Sequence, residues 1–295
     1  MDITNAIINY RRHLKRRNCS AHTIKGYMNK LKQFVLWIDV PLEQVTREKL
    51  LYYVDWLISR NLKPKTINCH ISCVRALYEY LQREETLQIT NPVRTGYSMR
   101  LPRPLPRFLN DDEVVKLFTV IKTIRDRALF MLMLRTGLRV EEVARLTVGA
   151  VDLKRKTLFV HLGKGGKDRV VYISTDAHQA LAAYLSRRPP TRSRGLFLVE
   201  KGPGRGSPLS VRGIQKRLEY YSRSAGLKVA CHQLRHTMAT QLLNADTELS
   251  TIQDLLGHRL ITTTQRYCRV CNLKVQRDYH RAMELVMQRT MPMRR

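Results

Sequence analysis

Six residues in this chain carry side chains suited to one demanding reaction. His232 and Arg235 sit in the run CHQLRHT, and His258 and Tyr267 follow in LLGHRLITTTQRY. Upstream lie Arg139, in RTGLRVEEV, and Lys164, in LGKGGKDR. A phenol, two guanidiniums, an amine and two imidazoles, without an acidic cluster to hold a metal, fit the cutting of a phosphodiester by side chains alone. Tyrosine can attack phosphorus and form a covalent intermediate that divides one hard step into two. Guanidiniums stay protonated and present a planar fork to the oxygens on which charge develops. Lysine can give a proton to the leaving oxygen, and a histidine near Tyr267 can take the attacking proton because imidazole titrates near neutrality.

Spacing supports the grouping. His232 and Arg235 are three apart in HQLRHTMATQLL, which reads as a helix, so they share a face near its N-terminus. That terminus adds a partial positive charge that favours phosphate. A His-x-x-Arg pair alone is more often just a solvated helix start. Lys164 falls between TLFVHL and RVVYIS, two β-rich runs around the Gly-rich GKGGKD, the pattern of a hairpin with a lysine at its tip. It is not a nucleotide-binding P-loop, because Lys167 is followed by Asp168 rather than Ser or Thr. GPGRGSPLS, residues 202–210, reads as a connector.

Taken in order, Thr136-Gly137-Leu138-Arg139, Glu142, Lys164 in GKG, His232-x-x-Arg235-His236-Thr237, Leu256-Gly257-His258 and Tyr267 resemble the tyrosine recombinase (phage integrase) family, most of all its small Xer-type members and the integrases or resolvases of mobile elements. The front of the chain, Ser20-x-x-Thr23-x-x-x-Tyr27-x-x-x-Leu31-x-x-Phe34, resembles that family's helical, SAM-like core-binding domain. The resemblance implies a site-specific recombinase that cuts and rejoins DNA through a 3′-phosphotyrosyl bond, serving integration, excision or resolution. Arg139, Lys164, His232, Arg235, His258 and Tyr267 would be catalytic, and Glu142 would orient Arg139 or His232. It implies no cofactor and no metal. The partners would be double-stranded DNA with a short inverted-repeat core site and three further copies of the chain on paired sites, with a monomer or weak dimer off DNA. A second recombinase or accessory proteins are further candidate partners. Tyr279 is the rival nucleophile; its distance from His258 and the resemblance both favour Tyr267.

Charge agrees with a polyanionic partner. The chain carries 53 Lys and Arg against 24 Asp and Glu, a formal +29 on 295 residues. About +10 falls in residues 1–105 and about +19 in the rest, so neither part is a basic tail on a neutral body. The candidate DNA contacts are Arg11, Arg12, Lys15, Arg16, Arg17, Lys25, Lys63, Lys65, Arg75, Arg103, Lys167, Arg169, Arg212, Lys216 and Arg259. Two other functions share this charge: a type IB topoisomerase, and a DNA-binding protein without catalysis. No run of 18 or more apolar residues or secretory leader is seen, so no membrane is expected and the location reads as cytoplasmic and nucleoid-associated. No arm-binding domain is expected ahead of the first helical domain, which favours a simple core-site recombinase.

Of the six cysteines, Cys268-x-x-Cys271 has zinc-like spacing but no second pair with it. Cys69 and Cys73, four apart, are expected on or near a buried helix face, as free thiols.

The elements that must place these residues read as mainly α with a small β-hairpin or sheet, an α+β chain in two domains. Residues 1–98 are helical: Ser20 caps a run with Ile24, Tyr27, Leu31, Phe34 and Ile38, Thr46 caps one with Leu50, Val54 and Leu57, and a third carries Ile67, Ile71, Val74, Leu77 and Leu81. Pro102, Pro104 and Pro106 make residues 99–108 an extended linker. The catalytic domain, 109–295, opens at Asn110, an N-cap with Glu113 three residues on. Gly137 should end the helix DRALFMLMLRT and leave Arg139 at the next helix start. A short strand near 151–153 precedes the hairpin of 157–174, and helices follow from about 177, 211, 232, 248 and 262. Val275, Tyr279, Met283 and Val286 form a stripe on a C-terminal helix that reads by itself as a core helix of its own domain, whereas the resemblance implies docking on a neighbouring protomer.

Overall fold

A computed structural model of the chain describes residues 3–85, 88–94, 96–102, 106–161, 168–257, 264, 277, 279–284 and 286–287. It forms two compact units, Met1–Arg103 and Pro104–Arg295. The chain is mainly helical with one small antiparallel sheet.

The first unit is built from α1 (Ile3–Arg16), α2 (Ala21–Trp37), α3 (Arg47–Ser59) and α4 (Pro64–Arg83). Ser20 and Thr46 cap α2 and α3 by accepting from the amides of Thr23 and Lys49, and Pro64 opens α4 where its missing N–H costs nothing. Leu31, Phe34, Tyr53, Leu57, Ile71, Leu77 and Tyr78 form its centre. Two polar groups are taken into that core with partners: Tyr53 Oη lies 2.9 Å from His70 Nδ1, and Tyr78 donates to the Leu42 carbonyl at 2.8 Å. The three helices expected here are joined by a fourth, α1. Its signal is Ala6, Tyr10 and Leu14, buried at helical spacing, which the surrounding run of arginines obscures. Cys73 is buried as expected, but Cys69 is exposed, because α4 turns that position outward.

The second unit is organised around α6 (Ile124–Thr136), where every residue from Ala128 to Leu134 is buried. Before it comes α5 (Asp111–Val120), with the full Asn110–Glu113 capping box. After it come α7 (Val140–Arg145), the strands β1 (Val151–Asp152), β2 (Thr157–Val160) and β3 (Arg169–Tyr172), then α8 (Thr175–Ser186), α9 (Val211–Ser224), α10 (Cys231–Asn244) and α11 (Leu249–Leu256). The sheet order is β1-β2-β3, with Phe159 opposite Val170 and Val160 opposite Arg169. Cross-strand partners share a face, so Leu158, Val160 and Val171 point into the core together with Arg169, while Phe159, Val170 and Tyr172 face out.

A buried polar network anchors α6 to α9. Asp126, fully enclosed, accepts from Arg125 Nε at 2.8 Å, from Tyr221 Oη at 2.8 Å and from Arg217. Arg125 also donates to the Leu198 carbonyl at 2.9 Å. The helix expected from about residue 262 and the Cys268–Cys271 pair fall outside the described residues, Thr264 excepted.

Candidate active site

Two glycines shape the site. α6 and α11 each end on a glycine with left-handed backbone, Gly137 at φ 62° and Gly257 at φ 61°. Such ends leave carbonyls without intrahelical partners. Arg235, on the first turns of α10 and 1% exposed, meets both: Nη1 donates to the Gly137 carbonyl at 2.6 Å and Nη2 to the Leu256 carbonyl at 2.6 Å. Its guanidinium is therefore fixed at the junction of three helices.

Two residues past Gly137, Arg139 occupies the N-cap of α7, and Glu142 is that helix's third residue. One carboxylate oxygen of Glu142 accepts from the Arg139 amide at 2.8 Å, and the other accepts from Arg139 Nη1 at 3.0 Å. Arg169, from β3, adds a bidentate pair to the same carboxylate, Nη1 to Oε1 at 2.9 Å and Nη2 to Oε2 at 2.8 Å. Its Nε donates to the Leu255 carbonyl at 3.2 Å. Burial would raise the Glu142 pKa, but the Arg169 hydrogen bonds, the Arg139 amide and the two guanidinium charges outweigh it and hold the group at about 2. Glu142 is thus a permanent anion between two arginines.

His232 is the second residue of α10, one turn before Arg235. One part of its ring reaches solvent, and its ring packs edge-on against His236 with centroids 4.3 Å apart. Burial of its inner side, then the charges of Arg235 and Arg139, lower its pKa. The imidazole is therefore neutral at physiological pH and within the field of both arginines.

Of the residues singled out in the sequence, Arg139, Glu142, His232 and Arg235 come together. Lys164, His258 and Tyr267 lie outside the described residues, as do Arg103, Lys167 and Arg259. Arg11, Arg12, Lys15, Arg16, Arg17, Lys25, Lys63, Lys65, Arg212 and Lys216 are exposed. Two candidate DNA contacts turn inward in this structure. Arg75 turns back onto its own unit and donates from Nη2 to the carbonyls of Arg94 and Tyr97, at 3.0 and 3.2 Å. Arg169, with its side chain 11% exposed, is committed to Glu142 and Leu255. The signal for Arg169 was the strand alternation itself: in RVVY the inward position of Val171 carries residue 169 inward too. Among the described residues no group of His, Cys, Asp and Glu could hold a metal ion, and no helix is long and apolar enough to cross a membrane.

Residues 107–273 match the Phage integrase family, and residues 7–85 match the Phage integrase, N-terminal SAM-like domain. The chain is a tyrosine recombinase of the phage integrase family. Among its relatives is a tyrosine recombinase XerC of Staphylococcus haemolyticus, 33% identical over 280 residues that cover 89% of this chain and 91% of the relative. Another is a tyrosine recombinase XerC of Bacillus subtilis, 31% identical over 281 residues, covering 89% of this chain and 90% of the relative. The XerA recombinase crystal structure resembles this one with TM-score 0.56 at 25% identity, over 95% of this chain and 98% of that one. A lambda integrase dimer bound to a core site shares the fold with TM-score 0.74 at 19% identity, over 90% and 95% of the two chains. The recombinase therefore has the two-domain fold of its family, with a SAM-like helical part in front, and its activity is site-specific recombination. The family assignment gives no support to a topoisomerase or a non-catalytic binder.

Proposed function

We propose that this recombinase cuts one strand of duplex DNA with Tyr267 and holds it as a 3′-phosphotyrosyl ester. Tyr267 Oη attacks phosphorus while His232 takes its proton. Arg139 and Arg235 bind the non-bridging oxygens and His258 donates to one of them. The bond from phosphorus to the 5′ oxygen breaks, and Lys164 protonates that oxygen. A partner strand's 5′ hydroxyl then attacks phosphorus, returns the proton to Tyr267 and reseals the backbone. The phosphotyrosine conserves the ester's energy, so the chemistry calls for neither a nucleotide nor a metal.

The observation that carries this reading is that Arg139, tied to Glu142, and Arg235, tied to the helix-end carbonyls of Gly137 and Leu256, both act on the charge of His232. Donors held before the reaction need no reorganisation as charge develops, which is where electrostatic catalysis gains most. Replacing Arg139 with Ala should slow cleavage by on the order of 10²–10³.

The substrate in this reading is an inverted-repeat core site, bound by one protomer on each half and recombined by four protomers on two duplexes. The C-terminal stripe supports exchange between protomers, since its Tyr279 and Val286 are 59% and 45% exposed. A second recombinase or accessory proteins would join at that step, in a cytoplasmic, nucleoid-associated setting. The test is a nicked-duplex library incubated without divalent metal with wild type and with Tyr267→Phe, resolved on a denaturing protein gel. A protease-sensitive DNA adduct with wild type alone is expected, and sequencing the trapped DNA names the site. Adduct formation by Tyr267→Phe would pass the nucleophile to another residue, with Tyr279 the first candidate.

A further inference from the structure

Arg169 stands where three segments meet. The connection from β2 to β3, which includes Lys164, leaves the sheet at Val160 and re-enters it opposite, at Arg169. From β3 the Arg169 side chain crosses to α7 with two bonds to Glu142, and to the end of α11 with one bond to Leu255. Glu142 has just two side-chain partners among these bonds, Arg169 and Arg139. Deleting Arg169 would leave a buried carboxylate to be neutralised by Arg139 alone, drawing that guanidinium toward α7 and away from any phosphate. Arg169 thus competes for Glu142, to which the Arg139 guanidinium gives a single nitrogen, Nη1. Its tie to Leu255 lies next to the carbonyl of Leu256 that Arg235 holds, so two arginines grip successive carbonyls at one helix end. The fit is close: a Cβ on Gly257 would stand 3.2 Å from Arg169 Cδ and 3.4 Å from its Cζ.

We infer that Arg169 is a positioning residue for the recombinase: through Glu142 it sets the Arg139 guanidinium for phosphate, and through Leu255 it locks the strand that follows Lys164 to the end of α11. The inference rests on the proposed role of Arg139 in cleavage. It assigns Arg169 no contact with DNA, although strong positive charge in a basic chain invites one.

The test uses the full chain with Arg169→Gln, Arg169→Lys, Glu142→Gln and the double variant Glu142→Gln/Arg169→Gln. Four quantities are read: single-turnover cleavage at saturating nicked site DNA, DNA Kd, the slope of log K against log salt, and the thermal midpoint. Arg169→Gln should cleave at least about tenfold more slowly, in the manner of outer partners that orient a contacting group. Its Kd and salt slope should match wild type. Arg169→Lys should not restore the rate, since an ammonium cannot supply the fork that meets both carboxylate oxygens. The double variant should be no slower than the slower single one, because both changes break one linkage. Where Arg169→Gln has lost its folding transition, Arg169→Lys carries the rate measurement.

A salt slope shallower by about 0.9 with weakened binding would make Arg169 a phosphate contact and overturn the inference. Full-speed cleavage by either folded variant would overturn it too. Wild type and Tyr267→Phe run beside them. An adduct from wild type with unimpaired Arg169 variants removes this inference alone, whereas no adduct from wild type removes the proposed chemistry and this inference with it.

Discussion

Arg235 donates from Nη1 to the carbonyl of Gly137 at 2.6 Å, and so a group proposed to hold phosphate is also a cap for the helix that ends there. Its Nη2 does the same for Leu256 at the end of α11. Removing one cation therefore removes two charge-assisted bonds inside the protein, each of which contributes about 1.5–3 kcal/mol.

Arg235→Lys follows directly. A single ammonium cannot span two carbonyls that face a guanidinium fork, so both stability and chemistry should suffer. The expected loss is about 2–4 kcal/mol of stability, read as a lower urea midpoint, with cleavage slowed by on the order of 10²–10³. A variant with wild-type stability and slow cleavage would show that the two carbonyls are held by something else.

Gly137 should tolerate replacement less well than Gly226, although both have positive φ, 62° and 67°. A Cβ on Gly226 meets nothing within 4 Å, so Ala there carries only the left-handed backbone cost of about 1–2 kcal/mol. A Cβ on Gly137 would lie 2.7 Å from Leu256 Cδ2 and 3.1 Å from Met238 Sδ, in a packed interior. Overpacking adds about 1–3 kcal/mol and pushes α11 away from Arg235. Equal midpoints for Gly137→Ala and Gly226→Ala in a denaturant titration would refute this.

His70 gives the first unit a pH dependence of its own. The ring is 3% exposed, and burial, with the Lys30 charge behind it, lowers its pKa from 6.5 to about 4. The sign follows from proton counting: between those values the unfolded chain binds the proton and the folded one does not, so stability rises with pH. The contribution is fully present above pH 6.5 and is lost as pH falls through about 4. A shift of this size corresponds to on the order of 3 kcal/mol. His70→Gln should flatten that slope. Glu142, lowered from 4.5 to about 2, adds its own loss as pH falls through that lower span, so most of its window lies below that of His70. An unchanged slope between pH 4 and 6.5 in His70→Gln would assign it to other groups.

Much of the fold was legible because its markers are local. Ser20, Thr46 and Asn110 cap where their side chains can reach the next amides, and Gly137 ends α6 because a left-handed residue is needed there. The grouping of Arg139, Glu142, His232 and Arg235 was legible from residue types in order. What escaped is what needs tertiary knowledge. An arginine in a basic chain looks like a DNA contact whether it faces solvent, as Lys65 does, or turns inward to carbonyls and carboxylates, as Arg75, Arg125 and Arg169 do. For Arg169 the strand alternation held the answer, and charge outweighed it in the reading. For Arg75 and Arg125 the partners are backbone carbonyls far along the chain, which no spacing rule identifies.

Salt dependence separates those two kinds of arginine in the first unit. Arg16 and Lys65 are exposed, whereas Arg75 spends Nη2 on the carbonyls of Arg94 and Tyr97 and thereby straps that segment to α4. Asn68 completes the strap by exchanging two bonds with Met99, at 2.9 and 2.8 Å. Each phosphate contact releases counterions on binding, so neutralising one lowers the slope of log K against log salt by about 0.9. Arg16→Gln or Lys65→Gln should do this at unchanged thermal midpoint if the residue meets the backbone of bound DNA. Arg75→Gln should leave the slope alone and lower the midpoint instead, because the carbonyls of Arg94 and Tyr97 lose their donor. A shallower slope for Arg75→Gln at full stability would mean that the strap opens on DNA and releases Arg75 to phosphate.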